Sequence, residues 1–142
     1  MAQDYAKVLQ ALDTSFEVIG RGEASAIAFD QATGITPRTG GVGVALKQAS
    51  APETAIIAVG VRQLAKIATT LIEAGTRHIL LEKPGGVNVE EIRQLNEVAT
   101  RNDVDVWLAY NRRFYASTLK AEELITEDGG VTSVQFEFTE WS

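Results

Sequence analysis

The sequence predicts an α/β fold with a parallel sheet, and two apolar runs separated by a helix carry that prediction. Residues 54–59 read Thr-Ala-Ile-Ile-Ala-Val, which is typical of a parallel strand buried on both faces. Residues 62–74 have the apolar spacing of an amphipathic helix, and residues 78–82 form a second strand-like run. Strand, helix and strand joined by short links predict βαβ units and therefore a parallel sheet.

The region before these runs is predicted to hold two helices around one short strand. Residues 2–13 and 24–32 have helical apolar spacing, and residues 16–20 are expected to be a strand. Gly34 is a typical C-terminal cap for the second helix. Residues 35–44 are rich in glycine but match neither the P-loop nor the Gly-x-Gly-x-x-Gly spacing, so we expect a plain loop.

The region after the second run continues the alternation. Asn88, with Glu91 three residues later, resembles a capping box and predicts a helix to about residue 102. A strand is expected at residues 104–109, and a helix is expected at residues 115–126.

The last residues follow a different pattern. Apolar and polar residues alternate over residues 131–141, which predicts a half-buried strand in a sheet with one covered face. We interpret residues 1–130 as one domain and residues 131–142 as the start of a second α/β domain.

Composition excludes several functional classes. The chain has 142 residues, a net charge of −6 and no cluster of basic residues, which is a poor electrostatic match to nucleic acid. It has no cysteine, which excludes disulfides, thiolate metal sites and cysteine nucleophiles. Its apolar runs are far shorter than the ~20 residues of a membrane span, and its start lacks the pattern of a signal peptide. We therefore expect a cytoplasmic protein with no membrane partner.

Charged residues stand directly after the second apolar run, as Glu82-Lys83-Pro84 followed by two glycines. Ligands bind at the carboxyl ends of strands in open α/β sheets. Lys83 could donate a proton or hold a ligand oxygen there, and Glu82 could accept a ribose hydroxyl. The alternative is a solvated ion pair at a loop edge. The Lys83–Pro84 bond can be cis at such a turn, and the glycines allow a close backbone approach to a ligand.

The next strand ends in a polar group, Tyr110-Asn111-Arg112-Arg113. Because parallel strands end at the same edge, we expect these side chains beside Lys83, where they could bind hydroxyls or phosphate. The alternative is that the arginines cap a helix or pair with Glu122 and Glu123.

Arg21 and His78 are the other candidates. Arg21 follows the first strand. In dinucleotide-binding folds an acid near this point takes the ribose 2′-hydroxyl of NAD, and an arginine can receive the 2′-phosphate of NADP. Since Glu23 comes slightly later, Arg21 favours NADP. His78, the single histidine, begins a strand and therefore lies at the wrong end for a ligand. Without partner histidines or cysteines the sequence supports no metal site.

The segment from Ala74-Gly75 to Glu82-Lys83-Pro84, with Asn111-Arg112-Arg113-Phe114 at its later spacing, resembles the glucose–fructose oxidoreductase / inositol dehydrogenase (Gfo/Idh/MocA) family. The resemblance covers roughly residues 1–140. It implies a Rossmann-like, doubly wound parallel sheet that carries NAD or NADP, followed by a substrate domain. It also implies hydride transfer between nicotinamide and a hydroxyl or carbonyl carbon of a sugar, polyol or nucleotide sugar, in a homo-oligomer.

The resemblance also implies a set of site residues. Lys83 would be the catalytic lysine. The expected cofactor contacts are Arg21, Val59, Gly60, Glu82, Lys83, Pro84, Asn111 and Arg112. The expected substrate contacts are Lys83, Tyr110 and Arg113.

The sequence departs from the family pattern. The opening strand with its Gly-x-Gly-x-x-Gly loop is missing, and Gly60-Val61 stands where the family usually has Thr-Pro. We therefore expect a sheet lacking its first strand, in a piece of an enzyme trimmed at both ends. Residues 16–19 and 54–59 would then have open edges, filled by residues 131–141, by a partner chain or by a longer polypeptide.

Two alternatives remain open. One is a non-catalytic binding or interaction domain derived from such an enzyme. The other is a flavodoxin-like receiver or sensor, which explains neither Lys83-Pro84 nor the last strand.

Overall fold

The computed structural model describes residues 1–135 and 137 and divides the chain into two compact units between Ala109 and Tyr110. The elements of the first unit are α1 (Ala2–Ala11), α2 (Glu23–Thr33), α3 (Val42–Gln48), β1 (Thr54–Ile57), α4 (Val61–Ala74), β2 (His78–Leu81), α5 (Val89–Asn102) and β3 (Asp105–Leu108). The second unit contains a 3₁₀ helix (Asn111–Phe114) and α6 (Ala116–Glu127).

The three strands form one parallel sheet in the order β1-β2-β3. Thr54 is opposite His78, and Leu81 is opposite Leu108. The predicted α/β fold with a parallel sheet is confirmed, with each strand one or two residues shorter than expected.

Helices α4 and α5 pack on one face of this sheet and form the core with it. Along β2 the side chains alternate, so Ile79 and Leu81 are fully buried while His78 and Leu80 lie on the other, partly exposed face. Burying each large apolar side chain of this kind stabilises the fold by about 1.5–3 kcal/mol. The core consists of Ile57, Leu64, Ala68, Leu71, Ile72, Ile79, Leu81, Leu95, Ala99 and Val104.

The strand predicted at residues 16–20 does not form a ladder, and that prediction is wrong. Ile19 makes one isolated parallel bridge with Arg38. The amide of Arg38 donates to the oxygen of Val18, and the amide of Gly20 donates to the oxygen of Arg38, both at 2.8 Å. A strand needs a partner along its length, and in the described residues this segment has one only around Arg38. Strand β1 likewise pairs with β2 alone in the described sheet, so its outer edge is open as expected.

The last predicted strand falls partly on described residues. Residues 131–135 and 137 form no strand, because no described segment forms a ladder with them. The rest of that prediction, residues 136 and 138–141, lies outside the described residues. The domain boundary at residue 130 therefore stays a prediction.

A membrane-spanning helix is not found in the described part of the chain, since none of its helices combines the necessary length and apolarity.

Candidate functional site

The chain leaves the sheet at the carboxyl end of β2. The amide of Glu82 still donates to the oxygen of Ile57 at 3.0 Å, in register with β1. The chain then turns, with a cis peptide bond between Lys83 and Pro84 and a 3.0 Å hydrogen bond from the amide of Gly85 to the oxygen of Glu82. The side chain of Lys83 is exposed at this turn.

The carboxylate of Glu82 is turned into the protein, where the residue is only 6% exposed. Its Oε1 accepts a 2.8 Å hydrogen bond from the hydroxyl of Tyr5, and its Oε2 accepts a 3.2 Å hydrogen bond from the amide of Lys83. The ion pairs of residues 1–135 and 137 do not include Lys83. The structure therefore does not show the alternative, a solvated ion pair between Glu82 and Lys83.

Tyr5 is the residue of this site that sequence reasoning missed. Burial raises the pKa of its phenol to about 12, and the hydrogen bond to Glu82 and the charge of Glu82 act in the same direction. The available signal was its position in α1, where Tyr5, Ala6 and Leu9 share one helical face.

The two glycines after Pro84 are closely packed against their neighbours. A Cβ on Gly85 would lie 2.7 Å from Cδ2 of Leu108, and Gly85 has a φ of +90°. A Cβ on Gly86 would lie 3.1 Å from the Cβ of Glu91. The loop therefore fits closely against β3 and the first turn of α5.

Helix α5 begins with the predicted cap. The side chain of Asn88 accepts a 2.9 Å hydrogen bond from the amide of Glu91, and the carboxylate of Glu91 accepts a 3.0 Å bond from the amide of Val87. Residues 82–88, which connect β2 to α5, form the Lys83 loop. The local network at Asn88 fixes the end of this loop that enters α5.

The end of β1 leads directly into α4 at the same edge of the sheet. Val59 is exposed, and Gly60 is the N-terminal cap of α4 without a side-chain hydrogen bond to the helix. A Cβ on Gly60 would meet no atom within 4 Å, so the space beside it is open. Since β1 and β2 are parallel neighbours, the N-terminus of α4 and the turn at Lys83 lie at one edge of the sheet. A helix N-terminus presents free backbone amides, which can receive a polar or anionic group.

Arg21 is exposed in the turn before α2. The amide of Gly40 donates to the oxygen of Arg21 at 3.3 Å, and the amide of Gly41 donates to the oxygen of Gly20 at 2.9 Å. The turn is thus held against the glycine-rich loop.

The group Tyr110-Asn111-Arg112-Arg113 belongs to the second unit. Asn111, Arg112 and Arg113 lie on the 3₁₀ helix and are exposed, and the guanidinium of Arg113 lies 5.1 Å from the ring centroid of Phe114. Their predicted position beside Lys83 stays a prediction. Glu123, one of the two glutamates considered as an arginine partner, forms an ion pair with Lys120 at 2.7 Å.

His78 lies at the amino end of β2, whereas Lys83 follows the carboxyl end of the same strand. Its Nδ1 lies 3.2 Å from Oδ2 of Asp105, and its ring stacks on Trp107 with 6.0 Å between centroids. Over the described ranges no three His, Cys, Asp or Glu side chains come together as metal ligands would.

Comparison with solved structures shows the fold. The WlbA dehydrogenase of Chromobacterium violaceum, solved with NADH and UDP-GlcNAcA, has a TM-score of 0.75 at 18% identity over 89% of this chain and 37% of that chain. The WlbA dehydrogenase of Bordetella pertussis, solved with the same two ligands, has a TM-score of 0.73 at 20% identity over 90% and 39%. An NAD-binding oxidoreductase of Klebsiella pneumoniae has a TM-score of 0.65 at 21% identity over 86% and 33%.

The chain therefore spans about a third of the length of these structures. No curated protein matches the chain by sequence. A family model described as "Oxidoreductase family, NAD-binding Rossmann fold" matches residues 1–110, which include α1, the whole sheet and the Lys83 loop. The chain belongs to this NAD-binding oxidoreductase family, Gfo/Idh/MocA.

Proposed function

We propose that this chain forms the nicotinamide side of an NAD(P)-dependent oxidoreductase that acts on a hydroxyl or carbonyl carbon of a small molecule. The observation that carries the proposal is the exposed Lys83, which stands at the carboxyl edge of the sheet on a backbone held by the buried Glu82. Family membership supports the same class of reaction.

Lys83 is the proposed catalytic residue. Its ammonium group is not engaged by Glu82, so it is available to a ligand oxygen at the edge of the sheet. A lysine in this position can give or take the proton of a hydroxyl, or stabilise negative charge on the reacting oxygen.

The residues that would hold the cofactor lie around this edge. Val59, Gly60, Glu82, Lys83 and Pro84 follow the ends of β1 and β2, where the open space beside Gly60 and the N-terminus of α4 fit a polar ligand. When bound, the nicotinamide supplies or accepts the hydride. Further cofactor contacts are proposed for Arg21, Asn111 and Arg112.

The choice between NAD and NADP is proposed from Arg21. An exposed arginine after this segment suits a 2′-phosphate and so favours NADP. The WlbA structures contain NADH, which supports NAD as the alternative.

The proposed substrate is a sugar, a polyol or a nucleotide sugar, and its proposed contacts are Lys83, Tyr110 and Arg113. The support is that the two WlbA dehydrogenases bind UDP-GlcNAcA. Arginine suits such a substrate because its planar guanidinium binds phosphate or carboxylate with two parallel hydrogen bonds.

A second candidate is a non-catalytic interaction domain derived from such an enzyme, which forms a homo-oligomer through its open sheet. The observation that favours it is the outer edge of β1, which pairs with no other described strand. An edge of this kind can receive a strand from another chain.

The two candidates differ in cofactor binding. NADH and NADPH are titrated separately against the protein, and the nicotinamide fluorescence is followed. We expect saturable binding with a dissociation constant below about 1 mM, tighter for NADPH, and weaker binding in Lys83→Met. Absence of binding at millimolar cofactor would contradict the oxidoreductase proposal and favour the interaction domain.

A further inference from the structure

The contact between α1 and the end of β2 suggests a role for a residue outside the expected site. We propose that Tyr5 is a positioning residue for Lys83, because its hydroxyl keeps the Glu82 carboxylate turned inward and away from the Lys83 ammonium. The use of Lys83 in catalysis rests on the proposed function, whereas the effect of Tyr5 on Lys83 needs no cofactor.

The carboxylate of Glu82 is held by two hydrogen bonds. A buried carboxylate is unfavourable unless donors satisfy its oxygens. Glu82 has one donor on each oxygen, the Tyr5 hydroxyl at 2.8 Å and the Lys83 amide at 3.2 Å. Hydrogen bonds to an ionised acceptor are the strong kind. The bond from the Tyr5 hydroxyl is the shorter of the two, and it holds Oε1 of Glu82 on the side of α1.

Removal of the Tyr5 hydroxyl would change the surroundings of the Glu82 carboxylate. Oε1 of Glu82 would then have no donor from Tyr5, and the next residue in the chain, Lys83, carries an ammonium group. Rotation of the carboxylate toward that ammonium would form the adjacent ion pair that the present geometry avoids. The Lys83 amide would lose its acceptor in the same rotation.

Tyr5 lies on a helix that is packed against its neighbour. Ala6, next to it on α1, is 2% exposed, and α1 packs against α2. The hydroxyl is thus presented from a packed helix. A phenol is a neutral donor at physiological pH, and burial together with Glu82 raises the pKa of Tyr5 further, to about 12.

The test compares Tyr5→Phe with Tyr115→Phe, a matched control at an exposed tyrosine of the second unit. The first measurement is hydrogen exchange of the Lys83 amide by NMR. We expect exchange about tenfold faster in Tyr5→Phe, which corresponds to the loss of a hydrogen bond to a charged group. The control should exchange as the wild type does.

The second measurement is the rate at which a water-soluble active ester acylates the Lys83 amine, followed by mass spectrometry. A new pair with Glu82 favours the ammonium form, which is not nucleophilic. We expect acylation about two- to fivefold slower in Tyr5→Phe, the size of an exposed ion pair. An unchanged value in either measurement, in a variant with native circular dichroism, overturns the proposal.

A third measurement uses Glu82→Gln, so that the test does not depend on the folding of Tyr5→Phe. The ultraviolet titration of the three tyrosines is compared between the wild type and Glu82→Gln. Tyr5 should ionise last in the wild type, and at lower pH once the charge of Glu82 is removed; an unshifted titration overturns the proposal. If NADH and NADPH do not bind but these changes are seen, the proposed function fails and the role of Tyr5 stands.

Discussion

The hydroxyl of Tyr5 donates a 2.8 Å hydrogen bond to Oε1 of Glu82, a residue 77 positions later in the chain. This bond joins the first helix to the carboxyl end of the central strand. It links an element outside the sheet to the loop that carries Lys83, and it has measurable consequences.

The stability of the wild type should fall at high pH more steeply than that of Tyr5→Phe. Tyr5 has its pKa raised from 10.0 to about 12 in the folded protein, so between these values the unfolded chain loses a proton that the folded chain keeps. A raised pKa contributes stability that is complete below pH 10 and disappears as the pH rises through about 12. Urea denaturation between pH 8 and about pH 11 checks this, and a constant difference between the two proteins would contradict it.

Lys83→Met should reduce function without reducing stability. The side chain is exposed and takes part in no described ion pair, so we expect the free energy of unfolding to stay within about 0.5 kcal/mol. Loss of a proton donor should lower the rate of NAD(P)H-dependent turnover by about 10²–10⁴-fold. Lys66→Met, on the exposed part of α4, is the control. Equal losses of turnover in the two variants would argue against a role for Lys83.

Gly85→Ala should destabilise the protein more than Gly34→Ala does. Both glycines have positive φ, +90° and +72°, which costs an alanine about 1–2 kcal/mol. Only at Gly85 would the new methyl group also meet a side chain, 2.7 Å from Cδ2 of Leu108, whereas nothing lies within 4 Å at Gly34. Chemical denaturation of both variants measures the difference. Equal costs would mean that Leu108 moves aside freely.

Arg21→Ala should lower the affinity for NADPH and leave that for NADH unchanged. A guanidinium bonded to the 2′-phosphate contributes about 1.5–3 kcal/mol, so we expect NADPH to bind roughly tenfold or more weakly. Arg101→Ala, an arginine on α5, serves as the control. A similar loss for both cofactors would assign Arg21 to general electrostatic attraction instead.

The sheet was predictable because its strands are apolar runs and short-range signals mark their ends. The expected burial of 54–59 on both faces is wrong, because the described residues leave Ile56 of β1 exposed, as they do Trp107 of β3. Apolar runs identified β1 and β2, and the residue types at Gly34 and Asn88 identified a helix end and a helix start. These features depend on local sequence, so one chain suffices to recognise them.

The rest depends on partners that are distant in sequence. Residues 16–19 have the composition of a strand, but strand formation requires a neighbour, and among the described residues the segment forms a bridge only with Arg38. Tyr5 looked like an ordinary helical residue because its partner Glu82 lies on another element. The grouping of Tyr110 with Lys83 depends on how the two compact units are arranged and stays a prediction.

The one-sided pairing of β1 has a consequence for the exchange of its individual amides. In a parallel strand successive residues direct their amides to opposite sides. The oxygens of Glu53 and Ile57 accept from the amides of His78 and Glu82 at 3.0 Å each. The amides of Ala55 and Ile57 thus face β2, and those of Thr54 and Ile56 face outward. We expect slow and fast exchange to alternate along these four positions, and a strand added from outside would remove the alternation. The exchange pattern of this short strand therefore reports whether its outer edge is occupied.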